Sequence, residues 1–211
     1  MHAQAPKWLE SVRVSGMTRC LVAFMLALCC LDASSQDVGA GQLFSGRLLN
    51  IRAPNSDGWK FGASSNAGMG FARRGAAPDE IYGAQVILFA LPESTDRDEF
   101  VSLIKQDVER DTPPERFTTI EANFEYMGQR GYPCVRYKGL FDDKQAATSL
   151  FGRETLKLQV HSLYCRHPNR RGVGFGIMFS HRGAELAVNL DAQATAFIEG
   201  VQVPENEPKL H

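Results

Sequence analysis

The sequence lacks an apolar run long enough to cross a membrane. Its longest uncharged apolar stretch, CLVAFMLALCCL at residues 20–31, has twelve residues, whereas a spanning helix needs about 20. It also lacks an excess of charge: 23 Lys and Arg stand against 24 Asp and Glu. That balance gives no long-range pull toward nucleic acid or anionic lipid, and no nucleic-acid partner is expected. There is no Gly-x-Ser-x-Gly, no Cys-x-x-Cys and no histidine pair a helical turn apart. A nucleophile elbow, a dithiol redox centre and a helical zinc site are thereby left without support. Repeats and heptads are missing too. No catalytic residue, metal ligand or cofactor is expected.

Cysteine is scarce and unevenly placed. Of five, Cys20, Cys29 and Cys30 crowd the apolar stretch, which leaves Cys134 and Cys165. Lys7, Arg13 and Arg19 precede that stretch, and the small, polar DASSQ follows it. A basic region, a short apolar region and small residues together make a secretory signal peptide, expected over residues 1–35. A start at Met17 would give the compact MTRCLVAFMLALCC. Ordinary cleavage finds small residues at Ala33-Ser34-Ser35, before Gln36, and again at Val38-Gly39-Ala40. Lipidation needs small residues before the acylated cysteine, but Leu28 precedes Cys29, and Cys29 precedes Cys30. Release into the periplasm or beyond is the preferred expectation. A lipid anchor at Cys29 or Cys30 is the alternative, and only that route gives membrane attachment.

What remains suits one domain, expected over residues 46–204. Residues 36–45 read as a linker, and the polar, Pro-containing 205–211 as a frayed tail. Residues 46–53 alternate weakly and stop at Pro54. WKFGAS and MGFARRG read as short strands, and IYGAQVILFA, residues 81–90, as an apolar strand central to a sheet. The period then changes. Thr95 with Asp98 resembles a capping box, Asp96 and Glu99 favour a first turn, and Phe100, Leu103, Ile104 and Val108 recur at helical spacing. Pro113 and Pro114 end that helix, expected over 96–110. Strands follow at 117–127, 133–141, 156–165 and 173–181. A terminal helix, DAQATAFIEGV, buries Ala194, Phe197, Ile198 and Val201. Asp142 and Asp143 read as solvated loop. Neighbouring strands joined by short turns predict an α+β fold, a largely antiparallel sheet with helices packed against it.

In an oxidising compartment, Cys134 and Cys165 are expected to bond. Pairing strands 133–141 and 156–165 with the cysteines opposed sets Val135 against Tyr164, Tyr137 against Ser162, Gly139 against Val160 and Phe141 against Leu158. That face is apolar and turns inward. The other, carrying Cys134, Arg136 and Lys138 against Cys165, Leu163 and His161, is more polar. The bond would contribute about 3 kcal/mol by the chain-entropy account.

Two features could bind something. RHPNRR places Arg166, Arg170 and Arg171 at a hairpin tip, which could seat an anion or be a solvated turn. In GVGFGIMFS, Gly172, Gly174 and Gly176 recur at period two. The bare face at Gly174 and Gly176 admits a small-molecule cavity or, more simply, close packing of a helix or an aromatic ring. The histidines at 161, 167 and 181 read as surface or strand residues.

The layout IRAPNSDGW, AQVILFALPESTDRDEFVSLIKQ, GYPCVRYKG and FIEGVQVP resembles the PsbP-like family of small α/β domains, with the Mog/PsbP fold. The resemblance covers about residues 44–204. It implies a helix-covered sheet sandwich and an exported binding or accessory module without shared catalytic residues. The expected function is therefore non-enzymatic binding of a protein or envelope component. A hydrolase-like enzyme with a dispersed site and a small-molecule binder over strand 172–176 are the alternatives.

Overall fold

The computed structural model describes residues 36–65, 67–145 and 155–204. The expected signal peptide, the polar tail and most of the segment 142–154 lie outside the described residues. Ten strands and two helices occur among those described. They are β1 (Leu43–Ser45), β2 (Asn50–Arg52), β3 (Lys60–Ser65), β4 (Gly68–Arg74), β5 (Ile81–Ala90), α1 (Arg97–Asp111), β6 (Phe117–Met127), β7 (Cys134–Asp143), β8 (Leu156–Arg166), β9 (Val173–Gly183), α2 (Leu190–Glu199) and β10 (Val201–Gln202).

Seven strands form one antiparallel sheet in the order β3-β4-β5-β9-β8-β7-β6, and β1-β2-β10 form a second, small sheet. The α+β class expected from the sequence is the one found. The order has a simple cause. Helix α1 carries the chain from β5 to the far edge, and the meander β6 to β9 returns until β9 pairs with β5. The glycine-bearing β9 therefore sits at the centre. At the outer edge, a bulge between Thr119 and Glu121 interrupts β6, a common device for blunting a free edge.

Both faces of the sheet's central strands are buried, because side chains alternate along each strand and a helix packs on each side. On one face, Phe100, Ile104 and Val108 of α1 pack on Val135, Tyr137, Phe141, Leu158, Val160 and Tyr164. On the other, Leu190, Ala194 and Phe197 of α2 join Trp59, Phe71, Leu163, Phe175, Ile177 and Phe179. The aromatic rings of that second cluster meet edge-on, Trp59 with Phe179 at 5.7 Å and Phe71 with Phe197 at 6.4 Å between centroids.

The predicted hairpin register is the register found, with Cys134 opposite Cys165 and the two sulfurs bonded. The polarity assigned to that face needs correction. Cys134, Leu163 and Cys165 are all sealed beneath the second cluster, because α2 and the small sheet cover this side as well. The polar side chains of the face lie further along, where Arg136 meets Glu125 and Lys138 and His161 meet Asp191.

Four further expectations change. The stretch 36–45 is not a linker: Val38 is buried, its N–H donates to the Trp59 carbonyl (2.9 Å), and Leu43–Ser45 pair with β2. Residues 46–53 do not make one strand. Leu48 and Leu49 both turn into the core, which alternation forbids, and the chain bends there between β1 and β2. Asp143 is not solvated loop. It is fully buried at the end of β7, where Arg116 grips it with Nε at 3.0 Å and Nη2 at 2.8 Å, a bidentate pair. At the start of α1 the cap is Asp96, whose Oδ1 accepts from the N–H groups of Asp98 and Glu99 at 2.9 Å. Glu99 reaches back to Thr95 instead of closing a box on the cap itself.

Candidate functional site

Helix α1 is short of covering the sheet at its C-terminal end. Pro113 and Pro114 stop it, and Thr112 caps its last turn by donating from Oγ1 to the Val108 carbonyl (2.8 Å). A slot of about 40 Å³ runs beneath that end, enough for about three water-sized groups. Val108 and Asp111 of α1 and its cap Thr112 form the roof, Phe117 one side, and Phe141, Leu158, Val160 and Met178 much of the floor. Tyr137 and Tyr164 complete it.

The floor follows from strand alternation. Tyr137 and Phe141 are even-spaced on β7, and Leu158, Val160 and Tyr164 on β8, so all five point to the α1 face. The Tyr137 ring folds along its own strand over Gly139, where a Cβ would collide with the phenol. That leaves the Tyr137 hydroxyl buried and without a hydrogen-bond partner among the described residues, an arrangement that costs about 1–3 kcal/mol in desolvation. Burial pushes the phenols of Tyr137 and Tyr164 well above the ordinary tyrosine range, so both stay neutral. Burial also raises the Asp111 carboxyl, against the opposing pull of Arg110. The slot is thus an apolar space with one unpaired hydroxyl and one reluctant carboxyl at its border. No histidine, lysine or cysteine lines it.

The residues singled out in the sequence lie elsewhere. Arg166 is tied down. Its Nη2 donates to the Pro92 carbonyl (2.9 Å) and to Ser94 Oγ (3.0 Å), and its guanidinium lies over Phe100. Arg171 donates from Nε to Glu93 (3.0 Å), the same carboxylate that Arg166 approaches at 3.9 Å. These two arginines brace the connection from β5 to α1, and their charge is met there. Arg170 belongs to the same turn, and its N–H donates to the His167 carbonyl. His167 is no surface residue. It is buried, with its Nε2 3.2 Å from the Leu48 carbonyl and its Nδ1 accepting from Asn169 N–H (3.2 Å).

The bare face of β9 is filled by rings. A Cβ on Gly174 would sit 2.5 Å from a Phe89 ring carbon, and one on Gly176 would sit 3.0 Å from the Tyr164 ring. The close-packing reading accounts for both glycines, and the space that the alternative reading assigned to a ligand is occupied by Phe89 and Tyr164. Gly172 differs. It takes a positive φ of 71° in the turn before β9, a conformation that favours glycine.

Sequence reasoning did not find the slot. The signal available was the even spacing of Tyr137, Phe141, Val160 and Tyr164, followed through to a helix cut short by two prolines. Among the described residues, no cluster of three or more His, Cys, Asp or Glu could hold a metal ion. No helix among them is long and apolar enough to cross a membrane.

No family model matches the chain, and no curated protein matches it. Among solved structures, it is similar to LpqN of Mycobacterium tuberculosis, described as involved in cell envelope biogenesis. The identity is 14% and the TM-score 0.43, over 81% of this chain and 90% of that one. A likeness that loose carries no argument about function and does not confirm the narrower PsbP-like assignment.

Proposed function

We propose that this protein is an exported, non-enzymatic binding domain acting in the periplasm or cell envelope. Its ligand is an envelope component that offers a short aliphatic end to the slot beneath α1. The observation that carries this reading is the slot itself, an apolar space beside a buried hydroxyl with no partner. Burying methylene groups there gains about 0.8 kcal/mol each, and a polar atom on the ligand would meet Tyr137. The lining is mostly apolar, which suits holding more than reacting. The sealed disulfide fits the same setting, since such bonds persist in oxidising compartments.

Calorimetric titration with straight-chain alcohols of increasing length tests the site. Affinity should rise with each carbon until the slot is full and then level off. Val160→Phe, which puts a ring into the space, should abolish the heat. A series with no length dependence, or a Val160→Phe variant that binds like the parent, would contradict the reading.

A further inference from the structure

A cleft of about 580 Å³ opens at another edge of the molecule, between the turn at Asp57 and Gly58 and the turn that follows Arg74. That size suits a small molecule. Arg73 is part of its wall, and the Arg73 guanidinium is held in place. Arg73 donates from Nη1 to Ser56 Oγ (3.2 Å) and from Nη2 to Gln193 Oε1 (3.3 Å). It also lies over the rings of Tyr82 and Trp59, with Cζ 4.5 Å and 5.3 Å from their centroids. Every one of these partners is neutral, so the charge is positioned without being neutralised.

The carboxylate nearest in the lining is committed elsewhere. Glu80 accepts from Tyr82 Oη (3.0 Å), from the N–H groups of Ala76 (2.7 Å) and Ala77 (3.3 Å), and from His181 Nε2 (3.0 Å). Burial works to raise its carboxyl, but these bonds outweigh burial and hold it below the ordinary range. Lys60 and Arg74 border the same cleft. Both are exposed, and among the described residues neither has an ion-pair partner. Asp57, on the rim, is the opposing charge.

We infer that this cleft binds the oxyanion of a small molecule, a carboxylate or a phosphate. Arg73 is the fixed cation, and Lys60 and Arg74 close on the anion from the rim. A planar guanidinium matches either anion, and one already held by four contacts loses little freedom on binding. The site is separate from the slot under α1 and shares no lining residue with it.

The test is an NMR titration of backbone amides with inorganic phosphate and, separately, with acetate, chloride holding the ionic strength constant. Saturable shifts at residues 57–60 and 72–76 are expected with at least one of the two anions. The Lys60→Ala/Arg74→Ala double variant should bind weaker by about tenfold or more, its spectrum otherwise unchanged because both side chains are exposed. Arg73→Lys, which keeps the charge and loses the fork, should also bind more weakly. Saturation by one anion alone identifies which oxyanion the cleft takes. Shifts that never saturate, shifts that chloride reproduces, or parent-like binding by the double variant would overturn the site.

Discussion

On the α1 face of the central sheet the packing stops short and leaves space; on the α2 face it runs to a polar end and leaves charge. The α1 face is one helix on an apolar floor, and the helix is cut off by two prolines before the floor is covered. The α2 face carries a disulfide, a lattice of edge-on rings and a second small sheet. At its end lie Arg73, Tyr82 and His181, one from each of three neighbouring strands in register. One face therefore offers unfilled volume to an apolar group, and the other an unneutralised cation to an anion. The stable scaffold lies on the second face, and the looser packing lies on the first.

Breaking the disulfide should have the largest effect. Cys134→Ala/Cys165→Ala removes a cross-link between residues 31 apart, and about 3 kcal/mol of stability should go with it. For a domain of this size that lowers Tm by roughly 6–12 °C. A melt of the variant within two or three degrees of the parent would show that the α2 face is not the stronger half. Gly174→Ala comes next. Its methyl would press on the Phe89 ring from the α1 face, and overpacking of that kind costs about 1–3 kcal/mol. Denaturant unfolding measures it, and a neutral outcome would mean that Phe89 has room to move.

The two sites should also respond to acid with opposite signs. Asp111 holds its proton more tightly folded than unfolded. Its charging therefore weakens the fold as pH rises from the ordinary carboxylate range through its raised value. Asp111→Asn should be more stable than the parent at neutral pH and equal to it in acid. Glu80 is the reverse, with a lowered pKa. Its contribution is present above the ordinary carboxylate value and is lost as pH falls through the folded one. Glu80→Gln should flatten the acid limb of the stability profile. Chemical denaturation between pH 3 and 8 separates the two, and limbs that change in the same direction would break the contrast.

The smallest effect is expected from Tyr137→Phe. It deletes a hydroxyl that has no partner among the described residues, so stability should be unchanged or higher by up to about 1 kcal/mol. A clear loss would mean that the hydroxyl is satisfied in solution.

Much of the scaffold was legible in the sequence, because alternation and turn residues are local. The strand 81–90 is found as read, and so is the hairpin register that opposing Cys134 to Cys165 implies. What was not legible depends on partners distant in sequence. Leu163 beside Cys165 looked like part of a polar face until α2, some thirty residues later, was seen to cover it. Asp143 looked solvated because its partner, Arg116, comes from before β6. Arg166 and Arg171 read as an anion seat or a solvated turn because Glu93 precedes the helix they brace. The slot and the cleft are spaces between elements, and spacing along the chain does not encode a space. Single residues gave hints, such as the two prolines after α1 and the glycines opposite Phe89 and Tyr164, without saying which gaps would stay open.

The most direct measurement of the central claim is methyl-resolved NMR of the protein equilibrated with xenon, an apolar atom that enters apolar cavities. The account predicts saturable shifts confined to the methyls of Val108, Leu158, Val160 and Met178, and their loss in Val160→Phe. Shifts spread evenly over both faces, or none at these four residues, would contradict it.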